Sequence, residues 1–122
     1  MGDPALLRML AAEADRRCPT IIAGLETLAA SGKKDSERIE QLRVEAHGLK
    51  GAALVVGQER LADLARGIEE FLADRVESGR IKPGAAATVI AAASALNEGA
   101  QAVAEGVGEP NSVRDSLAAL ER

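Results

Sequence analysis

Aromatic side chains are nearly missing from this sequence, which has no Trp, no Tyr and a single Phe. A core built without large rings must be filled by Ala, Leu, Val and Ile, and that suits slender helices packed closely side by side. Cysteine occurs once, at Cys18, so no internal disulfide can form. Its neighbours at helical spacing are apolar, and the thiol reads as buried and inert. Histidine also occurs once, at His47. With no second histidine, and with Cys18 on a different face, neither a metal site nor any other cofactor is expected.

Other absences narrow the class further. Four prolines and few β-branched runs favour helix over strand. The formal charge is −4 with Lys and Arg scattered, so the basic stripe that nucleic-acid binding needs is missing. Asp3 and Glu13 interrupt any early apolar run, and no secretory signal is expected. The Ala-rich stretch from Gly84 to Leu96 is too short and too weakly apolar to span a bilayer, and Asn97 and Glu98 end it. These features point to a soluble protein, and a cytoplasmic monomer is the expectation. Its 122 residues, 47% of them apolar, fit one domain over 1–122.

What is present is a strong three- and four-residue periodicity. Asp3-Pro4 reads as an N-cap and first turn, followed by Leu7, Leu10, Ala14, Cys18, Ile21, Leu25 and Leu28 on one seam. Pro19 lies within that stretch and predicts either a kinked helix or two shorter ones broken near Cys18. Ser31 to Lys34 is a stop, and Asp35 or Ser36 caps a second helix with its seam at Ile39, Leu42, Ala46, Leu49, Ala53 and Val56. Gly57 ends it. A third helix runs from near Gln58 to about Val76 with Leu61, Leu64, Ala65, Ile68 and Leu72 inward, and Glu77 to Gly84 forms a polar turn. The fourth helix carries Val89, Ala93, Leu96, Ala100, Val103 and Val107, and a short last helix follows from Ser112 to Leu120. The expected class is all-α, an antiparallel up-down four-helix bundle with a short C-terminal helix.

The chemistry concentrates around His47. At about 100° per residue, the ring falls outside the buried seam, on the flank of the second helix. Lys50 and Gly51 lie three and four residues on and share its surface, while Val44, Gly48, Leu54 and Val55 take the neighbouring outward directions. Glycine inside a helix costs about 1 kcal/mol relative to alanine. On an exposed face it allows another protein to approach the imidazole closely. Lys50 supplies positive charge where a phosphoryl group, carrying about −1.5 to −2, would rest.

The run Ala46-His47-Gly48-Leu49-Lys50-Gly51-Ala52-Ala53, then Gly57, then Leu61, Leu64, Ile68 and Glu69, resembles the histidine-containing phosphotransfer (HPt) family. The resemblance covers about residues 6–107. It implies a four-helix bundle with a phosphorylatable histidine, His47, exposed midway along the second helix. It implies a phosphorelay in which His47 passes a phosphoryl group between aspartates of response-regulator receiver domains, with Mg²⁺ on the receiver only. It also implies that Glu69, twenty-two positions after the histidine, hydrogen-bonds the other ring nitrogen. Many relay members carry glutamine there, whereas the histidine-bearing domains of chemotaxis kinases carry glutamate. Arg43 and Arg66 are candidates for contacting phosphate or a partner's acidic pocket.

Each of these residues also has an ordinary structural reading. Glu69 could pair with Arg66, Gly51 could serve close packing against the first helix, and Gly48 could be merely tolerated. Val44, Leu54 and Val55 either widen the core stripe or form an interaction patch. Gly48 to Gly57 lacks the Gly-Lys-Ser/Thr ending of a nucleotide cradle, so the chain has no ATP site with which to phosphorylate itself. Two rivals to the relay stand: an acceptor charged directly by the ATP-binding domain of a histidine kinase or hybrid kinase, and a scaffold bundle with an inert histidine.

Overall fold

The computed structural model describes residues 3–121; residues 1, 2 and 122, the ends of the expected domain, lie outside the described residues. It contains α1 (Pro4–Ser31), α2 (Ser36–Val55), α3 (Glu59–Arg75), α4 (Pro83–Ala104) and α5 (Asn111–Leu120), and no strand among the described residues. Local chemistry sets the helix ends. The Asp3 carboxylate accepts from the Ala5 N–H at 2.8 Å, and that of Asp35 accepts from the Arg38 N–H at 3.0 Å. Pro19 sits within one unbroken helix, on its exposed side. The two-helix alternative is therefore not realised.

Helices α1 to α4 form a ring in which each packs on two neighbours and the diagonal pairs do not meet. Short connections force each helix to reverse direction. At one end the Asp35 N–H donates to the Gly79 carbonyl at 2.8 Å, tying the α1–α2 and α3–α4 turns together. Toward the opposite end the Gln101 side-chain amide donates to the Ala11 carbonyl at 2.8 Å, joining α4 to α1. The bundle is up-down and antiparallel, and α5 closes over α3 and α4.

The apolar seams converge on one core, with Ile21, Leu25, Leu42, Leu49, Leu64, Ile68 and Leu96 fully buried. Each such side chain contributes about 1.5–3 kcal/mol through burial. Two positions differ from the periodic reading. Val107 lies beyond α4, 59% exposed, because Glu105 and Gly106 end the helix before the repeat can carry it inward. Ile81, in the supposedly polar turn, is buried. Cys18 is sealed in the core, and burial, aided by the charge of Asp15, pushes its thiol up to about 12. It is not available as a thiolate.

Candidate functional site

The site arises from the α2–α3 hairpin. Its turn needs a left-handed residue, supplied by Gly57 at φ +76°. His47 lies ten residues before that glycine and Glu69 twelve after it. At 1.5 Å per residue both stand about 15–18 Å from the turn, level with each other on antiparallel helices. The hairpin register alone therefore brings a residue of α3 against the flank of α2 that carries the histidine.

The His47 side chain is 62% exposed, whereas that of Glu69 is only 12% exposed. His47 Nδ1 lies 2.8 Å from Glu69 Oε2. An ionised carboxylate can only accept, so in the neutral imidazole this contact assigns the proton to Nδ1. Nε2 keeps its lone pair and has no hydrogen-bond partner among the described residues.

Two cations from α2 flank the carboxylate beside the imidazole. Lys50 Nζ lies 2.8 Å from Oε1, which has no other hydrogen-bond partner, and Arg43 Nη1 lies 3.2 Å from Oε2. The Lys50 charge is thus directed across the hairpin onto Glu69 and does not stand free beside the ring. The reason is the near-burial of Glu69, since a desolvated anion requires a nearby cation. Arg43 also grips Glu40 through two N–H···O bonds, at 2.7 and 2.6 Å.

Burial by itself raises the Glu69 carboxyl, but hydrogen bonds from Lys50 and His47, with their charges, outweigh it and hold the group below its ordinary 4.5. A carboxyl that is more acidic in the folded chain stabilises the fold above its unfolded value, and the contribution fades as pH falls through the folded value. Glu69→Gln should therefore lower the melting temperature at neutral pH and converge on wild type in strong acid, where the carboxyl is protonated. Thermal unfolding across that range reads the effect. A difference undiminished in strong acid would contradict it.

Not every expected residue joins this cluster. Arg66 turns to Asp63 at 2.7 Å and lines a cleft between α3 and α5, so the Glu69–Arg66 pairing is not formed. Gly51 is exposed, and nothing lies within 4 Å of where a Cβ would stand, so it does not serve packing against α1. At Gly48 a Cβ would come 2.8 Å from the Arg17 guanidinium, which lies over the α2 backbone with Nη1 2.9 Å from Glu45 and Nε 3.3 Å from Glu13. Gly48 thus makes room for an arginine of α1 beside the histidine. The sequence reading missed Arg17; its only signals were the i,i+4 spacing from Glu13 and the glycine itself.

Apolar side chains of α2 are exposed on the outer face of the bundle as well. Val44 and Leu54 are exposed, as is Val55 at 77%, so these residues do not widen the core stripe. A groove of about 240 Å³ runs between α1 and α2, with Leu6, Met9, Leu10, Gly51, Ala52 and Val55 among its lining residues. Leu6 and Met9 also went unread, because they sit off the main seam of α1. Among the described residues no group of three or more His, Cys, Asp or Glu side chains could hold a metal ion, and no helix is long and apolar enough to cross a membrane.

A search of curated proteins finds no match to the chain. The family model of the Hpt domain matches residues 5–121, beyond the stretch of the sequence resemblance and through α5. The all-helical bundle agrees with that match. The chain belongs to the Hpt domain family, the histidine phosphotransfer modules of two-component systems.

Proposed function

We propose that the protein is a phosphorelay intermediate, in which His47 accepts a phosphoryl group from one receiver-domain aspartate and yields it to another. The observation that carries this reading is the oriented imidazole, with Nδ1 tied to a nearly buried carboxylate and Nε2 unpartnered on an exposed ring. In the forward step the Nε2 lone pair attacks the phosphorus of the receiver's aspartyl phosphate. The new N–P bond forms as the P–O bond breaks, and the aspartate leaves as a carboxylate. The ring then carries positive charge and retains its Nδ1 proton, where Glu69 compensates it. Transfer onward reverses these changes. The receiver and its Mg²⁺ supply most of the charge stabilisation, while this chain supplies the positioned nucleophile and a docking face. We place the module in the cytoplasm, acting as a monomer.

The docking face in this reading is the apolar strip of Val44, Gly51, Leu54 and Val55 with its adjoining groove. Gly51→Ala tests it. With open space for the methyl group, the substitution should stabilise the fold by up to about 1 kcal/mol. It should at the same time raise the KM for the receiver. Equal or tighter receiver binding would remove Gly51 from the interface.

A second reading is favoured by one residue. Because position 69 is glutamate, the chain shares a feature with domains charged directly by a kinase. The two are separated by presenting purified protein either with a phosphorylated receiver or with a histidine kinase ATP-binding domain and ATP. The relay expects acid-labile label from the receiver. Label only from the kinase domain would favour direct charging. A receiver complex that never labels and survives His47→Ala would mean a scaffold.

A further inference from the structure

An arginine one turn before an exposed histidine invites a partner-facing role, yet the geometry turns Arg43 inward. Its Nε and Nη2 hold the two oxygens of Glu40 at 2.7 and 2.6 Å, and its Nη1 reaches Glu69 Oε2 at 3.2 Å. That oxygen is the one bonded to His47 Nδ1. Glu40, Arg43, His47 and Lys50 follow at steps of three, four and three residues, so they form one stripe along α2.

We propose that Arg43 is a positioning residue for phosphotransfer, acting on the His47 ring through Glu69. This rests on the reading of His47 as the phosphoacceptor. The physical argument concerns how the carboxylate is held. Lys50 is a flexible point charge and can follow Oε1 through a range of positions. The Arg43 guanidinium is a rigid planar fork already fixed to its own helix by Glu40, so its third contact places Oε2 at one height beside the ring. From α3, Arg60 is paired with Glu109, Arg66 with Asp63, and Arg75 lies over the Phe71 ring, so no cation of that helix substitutes for Arg43. A carboxylate held in one place keeps the Nδ1–H tautomer and aims Nε2 outward, and misplacement of a reacting atom by 1 Å is enough to cost about 100-fold in rate.

The test compares Arg43→Gln and Arg43→Lys with wild type, using a phosphorylated receiver as donor. Arg43→Gln should lower kcat about tenfold while leaving the KM for the receiver within about twofold. Arg43→Lys should recover part of the loss. Independently, ¹⁵N NMR of the unphosphorylated protein should show a smaller Nδ1–H fraction for His47 in Arg43→Gln, with circular dichroism unchanged. A raised KM with kcat intact would make Arg43 a docking residue and overturn the proposal, as would an unaltered tautomer. Should wild type accept no phosphate at all, the relay reading fails, and the NMR comparison still decides whether Arg43 holds the ring.

Discussion

Replacing His47 with glutamine should abolish acid-labile labelling from a phosphorylated receiver and leave the helical content unchanged. The first half follows because glutamine has no ring nitrogen with a nucleophilic lone pair, and no second histidine exists to substitute. The second half follows from exposure. The side chain is 62% exposed and takes no part in the core, and glutamine is a good helix former, so stability should stay within about 0.5 kcal/mol of wild type. Measuring label and thermal unfolding on the same sample separates loss of chemistry from loss of fold. Label retained by the variant would place the phosphoryl group elsewhere and remove His47 from the mechanism.

The second large effect is expected for Glu69→Ala. This truncation deletes the acceptor for Nδ1–H and the shared anion of Arg43 and Lys50 together. The ring becomes free to rotate and to exchange tautomers, and the positive charge that develops on it during transfer loses its partner. Transfer should fall about 100-fold, the scale on which misplaced groups and lost acid–base partners act. Glu69→Gln should fall less, because a carboxamide oxygen can still accept from Nδ1–H, although its amide then faces the Lys50 ammonium. Folding should survive, since Lys50 and Arg43 retain access to water. Single-turnover transfer from a labelled receiver gives the ranking, and an alanine variant as fast as wild type would mean that Glu69 does not orient the ring.

The four long helices were legible because each buries one stripe, and a stripe leaves its period in the sequence. Leu42, Ala46, Leu49 and Ala53 repeat at three- and four-residue steps, and all are buried. Ile81 left no such trace, being a single apolar residue in an irregular connection. Val107 extended the period past the glycine that breaks the helix, so pattern alone could not show where the pattern stopped mattering. The site divides in the same way. Exposure of His47 followed from its angle to the seam, and the level of Glu69 follows from the hairpin turn at Gly57. Contacts between helices unrelated in sequence did not follow. Arg17 of α1 over Gly48 of α2 is one case, and the inward turn of Arg43 is another. Lys50 shows why: its nearest ionisable neighbour along the chain is the histidine, but it pairs with the nearly buried carboxylate across the hairpin.

The central claim is that Glu69 holds the proton of His47 on Nδ1 and so directs phosphorylation to Nε2. Phosphorylating ¹⁵N-histidine-labelled protein with a charged receiver and recording which ring nitrogen couples to phosphorus tests it without any substitution. Coupling to Nε2 of His47, with Nδ1 still protonated, is the expected spectrum. Coupling to Nδ1, or phosphorus bound to any other residue, would contradict the account.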